Sequence, residues 1–126
     1  MAYIYSKAAR LKNQPVVGSR HCVALVQEYA GAPATAHWRQ GAAVAGNTTL
    51  TPGTAIATFA GGRHGSHGHH AALYVRQGIN GIIIVDQWQA ASKSKISLRL
   101  IQSQGQDQRG HYRQARDNAD AFFVIE

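Results

Sequence analysis

The sequence holds one cysteine, Cys22, and seven histidines, four of them in the run HGSHGHH as His64, His67, His69 and His70. A single thiol excludes an intrachain disulfide and any multi-cysteine zinc site. It leaves two readings: a small buried hydrophobe, or a nucleophile. A nucleophile must be a thiolate, and a thiolate needs surroundings that favour charge. Cys22 follows Arg20 and His21 in the first turn of a helix expected over Arg20–Ala30. There the free N–H groups and the positive end of the helix dipole stabilise a thiolate. The same N–H groups can bind the oxyanion that forms when a thiolate attacks a carbonyl.

Such a thiol needs a base held rigidly within hydrogen-bond reach. His70 opens the expected strand HAALYV, so it is the candidate; His64 and His67 read as solvated loop residues. His69 is adjacent, but its side chain points to the opposite face of the strand. The rival reading of the cluster is zinc binding, since closely spaced histidines can ligate that metal. The run lacks a helical i, i+4 pair and a nearby carboxylate, so no metal or other cofactor is assigned.

A third group should hold the imidazole in the right tautomer. The chain has six acids. Glu28, Asp107, Asp117, Asp120 and Glu126 fall on the helix, in a polar stretch or at the terminus. Asp86 lies in IIIVDQW, at the end of an apolar strand, where a carboxylate needs a partner. His70 and Asp86 share a face only if the connecting turn has an odd number of residues or a bulge resets the register. With a strict two-residue Asn80–Gly81 loop, Asp86 points away and Gln87 is the better orienter. Both alternatives stand at this point.

The elements that position these groups follow from pattern. Residues 1–17 read as an arm that packs on the domain. Gly18–Ser19 reads as a turn and N-cap. Cys22, Leu25, Val26 and Tyr29 then fall on one helix face. Gly31 and Pro33 end the helix, and Thr35–Gln40 reads as a second short helix with Trp38 turned inward. Gly53–Ala60, His70–Gln77, Ile82–Trp88, Ile96–Gln102 and Ala121–Glu126 read as strands, with a hairpin signal at Asn80–Gly81. Gly61–Gly68 and Ser103–Asn118 read as loops. Core packing is the expected use of both Trp38 and Trp88. A helix followed by an antiparallel sheet is an α+β domain.

The bulk properties bound the rest. A chain of 126 residues has the size of one domain, expected to span 1–126. No stretch approaches the roughly 20 apolar residues of a membrane helix. The N-terminus lacks the features of a secretory signal, so the chain is expected to be made in the cytoplasm and exported without a cleaved signal. A net charge of +7 favours an anionic partner: nucleic acid, a membrane surface or carboxylate-rich peptidoglycan. The basic residues are scattered, with modest clusters at Lys93–Lys95–Arg99 and Arg109–Arg113–Arg116. No basic stripe interleaved with aromatics points to nucleic acid.

These residues carry a resemblance. GSRHCVALVQEYAGAP is similar to the nucleophile helix of the NlpC and CHAP-type cell-wall amidases, although Arg20–His21 stands where many broader relatives carry Gln or Asp. GHHAALYV resembles their histidine strand and aligns His70, not His69, with the catalytic histidine. IVDQW resembles the end of the next strand and maps Asp86 onto the third position. Taken together, HCVALVQ, the segment from Gly31 to Gly41, PGTAIATF, GHHAALYV and GI.IVDQW resemble the third family of type VI secretion amidase effectors. The stretch 103–118 matches nothing in that pattern.

The resemblance implies a papain-like fold with an N-terminal nucleophile helix packed on the sheet. It implies a cysteine amidase with Cys22, His70 and Asp86 as catalytic residues and no cofactor. The substrate it implies is peptidoglycan, cut at the D,D cross-link between D-alanine and meso-diaminopimelate in the periplasm of a rival cell. The implied partners are the type VI secretion machinery and a cognate immunity protein. Two other classes stand beside it. A papain-like acyltransferase or thioesterase would use the same pair on lipid and would need an apolar membrane-facing segment. A non-enzymatic basic module would bind an anionic polymer and leave Cys22 structural.

Overall fold

The computed structural model describes residues 2–64 and 69–126. Its sheet has six antiparallel strands: β1 (Gln40–Ala43), β2 (Ala55–Thr58), β3 (Ala71–Gly78), β4 (Gly81–Asp86), β5 (Ser97–Gln102) and β6 (Phe122–Ile125). Their spatial order is β1-β6-β2-β3-β4-β5. One α-helix among the described residues, α1 (Cys22–Ala30), packs on β3.

The central strands are apolar on both sides because both sides are covered. Ala55, Ala57, Ala71, Leu73 and Val85 face one cluster with Leu25 and Val26 of α1 and with Ala8 and Leu11 of the N-terminal arm. Ile56, Ala72, Tyr74, Ile82 and Ile84 face a second cluster with Val44, Ala119 and Phe122. Three alanines on the first face leave the helix room to approach β2 and β3. The arm itself is tied down: Asn13 N–H donates to Ile96 O, and Ile96 N–H to Gln14 O.

Several boundaries differ from the sequence expectation. Arg20 has φ 73, in the left-handed region, so the helix cannot include it. The N-cap is His21, and Cys22 is the first helical residue. At the other end Gly31, at φ 75, supplies the left-handed C-cap. Thr35–His37 is only a 3₁₀ turn, and Gln40–Ala43 is an unforeseen edge strand paired with β6. QGAA has neither the alternation nor the β-branched residues that would announce a strand. The hairpin turn is Ile79–Asn80, because Gly81 is already paired with Gly78. Asn80 takes the positive φ of 53 that Asn tolerates better than most residues.

That two-residue turn would have put Asp86 on the wrong face. On β3, however, Tyr74 pairs with Ile84 and Arg76 with Ile83, so Val75 is an extra residue. This bulge shifts the pairing by one, and beyond it Leu73 lies opposite Val85. Continuing that register places Ala72 across from Asp86 and puts His70 on the same face as Asp86.

Candidate active site

Cys22 is half-buried at the N-terminus of α1, where no side chain caps the helix. Burial pushes its thiol up, but hydrogen bonding and charge from His70, with N–H groups of Ala71 and Val23, pull it further down. The net pKa lies below the ordinary 9.0. Ala71 opens β3, so the thiol sits where the helix start meets the strand start. Leu25 and Val26, both fully buried, hold the helix there.

His70 immediately precedes β3 and is fully buried. Its backbone is fixed by Thr58: His70 N–H donates to Thr58 Oγ1 at 2.9 Å, and Thr58 N–H donates to His70 O at 2.9 Å. Its Nε2 lies 2.7 Å from Asp86 Oδ2. Its Nδ1 is buried with no hydrogen-bond partner among the described residues, and Cys22 is the other titratable group that acts on the ring. Burial alone would lower the imidazole pKa. Hydrogen bonds and charge from Asp86 and Cys22 outweigh it and hold the pKa above 6.5.

Asp86 is fully buried. Burial would raise its pKa, yet His70 and Arg99 keep it below the ordinary carboxylate value. Arg99 donates from Nε at 2.9 Å to the same Oδ2 that receives His70, and its Nη2 lies 2.8 Å from that oxygen as an ion pair.

Of the two candidate orienters, Asp86 and Gln87, the one in contact with His70 is Asp86. Asp86 bonds the His70 ring, and Gln87 does something else. Gln87 Oε1 accepts from Val17 N–H at 2.9 Å, while Nε2 donates to Val17 O at 3.0 Å and His21 O at 2.9 Å. Consecutive residues project to opposite faces of an extended chain. Asp86 therefore secures the imidazole, and Gln87 secures the loop that delivers the cysteine.

The remaining histidines separate from this group. His67 lies outside the described residues. His69 contacts Thr58 Oγ1 at 3.2 Å and does not act on Cys22. His64 is not solvated as the sequence suggested. It is half-buried against Trp38 and Phe59, with Nδ1–H donated to Thr58 O at 2.9 Å, and burial lowers its pKa. Among the described residues no three His, Cys, Asp or Glu side chains are grouped as a metal would require.

Trp38 is core, as expected. Trp88 is half-buried instead, with Lys93 Nζ 4.1 Å from the centre of its ring. A cleft of about 550 Å³ opens on the His69 side, lined by Phe59, Tyr112 and Phe123 among others. Sequence reasoning missed Thr58, and it saw Arg99 only as one of a scattered basic cluster. The signal for Arg99 was a cation inside the strand SLRLIQ. Once β5 is laid beside β4, Ser97 falls opposite Asp86 and Arg99 falls diagonal to it.

A model of the domesticated amidase effector 2 family matches residues 2–125. The type VI secretion amidase effector 2 protein of Salmonella typhi is 39% identical over 135 residues, with 100% of both chains covered. The solved structure of a type 6 secretion amidase effector 2 (Tae2) is similar at TM-score 0.91 and 37% identity, over 98% of this chain and 94% of that one. At that likeness the α+β fold is papain-like, as the motifs implied. The resemblance to type VI secretion amidase effectors holds, and the matched proteins carry the number 2 where the motifs suggested the third family.

Proposed function

Because this chain belongs to the type VI secretion amidase effector family, we propose that it is a cysteine amidase that hydrolyses stem-peptide amide bonds of bacterial peptidoglycan. The observation that carries this reading is a buried imidazole held by Asp86 through Nε2 at 2.7 Å, with Nδ1 left without a hydrogen-bond partner among the described residues and the Cys22 thiol close enough to shift its titration. The bond cut is the D,D cross-link between D-alanine and meso-diaminopimelate. The setting is the periplasm of a target bacterium, reached through the type VI secretion machinery. A cognate immunity protein protects the producer. Among the described residues no helix is long and apolar enough to cross a membrane.

The mechanism follows from the geometry. The Cys22 thiolate, paired with protonated His70, attacks the amide carbonyl. The uncapped helix start offers backbone N–H groups, that of Cys22 first, to the oxyanion. His70 donates its Nδ1 proton to the leaving amine. Water, deprotonated by the same nitrogen, then hydrolyses the thioester and frees Cys22. Asp86 remains ionised throughout and keeps Nε2 as the donor to itself. The net charge of +7 supports retention on an anionic sacculus.

The test uses purified sacculi incubated with wild type and with Cys22→Ala, followed by chromatography of the muropeptides. Loss of cross-linked dimers with wild type alone is the expected result. Identical profiles from both proteins would leave a non-enzymatic basic module as the better reading.

A further inference from the structure

Beyond Asp86, away from His70, the structure continues in a chain of alternating charge. Arg99 does not bond Cys22 or His70; it bonds Asp86. Three nitrogens converge on Asp86 Oδ2: His70 Nε2 at 2.7 Å and Arg99 Nε at 2.9 Å by hydrogen bond, and Arg99 Nη2 at 2.8 Å as an ion pair. The other oxygen, Oδ1, is buried without a partner among the described residues.

A guanidinium facing a carboxylate ordinarily spreads its fork over both oxygens. Here the third nitrogen, Nη1, is taken by Asp117 Oδ1 at 2.9 Å, which draws the fork to one side. The guanidinium also lies 5.5 Å from the centre of the Trp88 ring. Asp117 belongs to the polar stretch 103–118, which matched no motif in the sequence. That stretch is not loose around Asp117. The next residue, Asn118, is fully buried, and its Nδ2 donates to Gly105 O and Arg113 O at 2.9 Å each. Its Oδ1 accepts from Gln104 N–H at 2.9 Å and Asp120 N–H at 3.0 Å.

Charge gives this arrangement a purpose. Arg99 alone would neutralise Asp86 and present His70 with a pair of no net charge. Asp117 offsets the cation, so the trio Asp117, Arg99 and Asp86 carries net negative charge toward the imidazole. Taking the proposed amidase reading as the premise, we infer that Arg99 and Asp117 are positioning residues for the Cys22–His70 pair. Arg99 fixes Asp86 Oδ2 against the ring, and Asp117 fixes Arg99 and restores to Asp86 the charge that an imidazolium needs. The charged groups in play are Cys22 on α1, His64 after β2, Asp86 on β4, Lys93 between β4 and β5, Arg99 on β5 and Asp117.

The experiment compares wild type with Arg99→Gln, Arg99→Lys and Asp117→Asn, as whole chains. Two readouts are taken across pH: kcat and KM on a cross-linked muropeptide, and the rate of Cys22 alkylation by iodoacetamide. The second needs no substrate, and the chain has only one cysteine to label. For Arg99→Gln we expect kcat to fall by about tenfold, as for outer partners of a held imidazole elsewhere, with KM changed less than about twofold. Arg99→Lys keeps the charge but cannot reach both carboxylates with a fork, so it recovers only part of the loss. Asp117→Asn should move the alkaline limb of the activity profile, and the rise of Cys22 alkylation with pH, to lower pH, because it leaves the Arg99 charge unbalanced next to the thiolate–imidazolium pair.

A rate loss in Arg99→Gln with unmoved pH limbs in Asp117→Asn would reduce both residues to a structural role and overturn the inference. So would profiles superimposable on wild type in both variants. If Arg99→Gln fails to fold by circular dichroism, Asp117→Asn decides alone, since its carboxylate is 45% exposed and tolerates the change. If wild type cuts no muropeptide, the amidase reading has failed, whereas the alkylation profiles still judge the positioning claim.

Discussion

His70 Nε2 lies 2.7 Å from Asp86 Oδ2, and both side chains are fully buried. They meet because Val75 bulges out of β3 and brings His70 and Asp86 to one face of the sheet. A carboxylate shut away from water must be neutralised or paired. Asp86 is paired twice, by His70 and by Arg99, and so stays ionised.

Asp86→Asn tests this directly. The amide is neutral and can present either an oxygen or an N–H to the ring, so the imidazolium loses its counter-charge and its tautomer is no longer fixed. Muropeptide release should fall by about 10²-fold or more, within the range by which positioned general acid–base groups contribute. Activity within a few-fold of wild type would show that Asp86 is not the orienter.

Activity should have a bell-shaped pH dependence in kcat/KM, with signs set by the two shifts. The active form is thiolate with imidazolium. The acid limb is protonation of Cys22, displaced below the ordinary 9.0. The alkaline limb is deprotonation of His70, displaced above 6.5. Stability follows the same groups. The His70 contribution is full below its unfolded pKa and is lost as pH rises through the raised folded value. Those of Asp86 and Cys22 are present above their unfolded values and are lost as pH falls through the lowered folded ones. Denaturant midpoints measured across the same pH series check this second set of signs.

Gln87 and Leu25 should separate support from chemistry. Gln87→Ala removes three hydrogen bonds from the 17–21 loop. It should cost about 1–3 kcal/mol in unfolding free energy, because the loop's polar groups lose buried partners. Leu25→Ala, beneath the helix and fully buried, should cost about 2–5 kcal/mol through the cavity it leaves. Chemical denaturation measures both. Equal stability in Gln87→Ala and wild type would remove Gln87 from the account of how Cys22 is held.

Much of this site could be read from the sequence. Cys22 and His70 were legible because each sits at a boundary that pattern marks, a helix start and a strand start. Asp86 was legible as a carboxylate in an apolar run. The choice between it and Gln87 was not, because a bulge at Val75 has no signature in the string AALYVRQG: any residue there can be the extra one. The turn at Ile79–Asn80 was misplaced by one for a related reason, since Asn80–Gly81 and Ile79–Asn80 both offer a residue suited to positive φ. β1 was invisible because QGAA owes its strand to β6 rather than to its own composition. Arg99 and Asp117 are far apart in sequence from the residues they serve: the pairing of β5 with β4 brings in Arg99, and the bridge between Gln102 and Asn118 brings in Asp117.

Retention on the cell wall should weaken with salt. The net charge of +7 is spread over the surface, and exposed charges are screened beyond about 8–10 Å at physiological ionic strength. Pelleting with sacculi over a salt series measures it. Binding that does not change with salt would assign retention to the cleft instead of to charge.

The most direct measurement is the rate of Cys22 alkylation by iodoacetamide as a function of pH, in wild type and in His70→Ala. If the thiol and imidazole form an ion pair, wild type reacts well below the ordinary thiol range, and His70→Ala loses that reactivity. Wild-type alkylation that rises only near 9.0, and coincides with that of His70→Ala, would contradict the account.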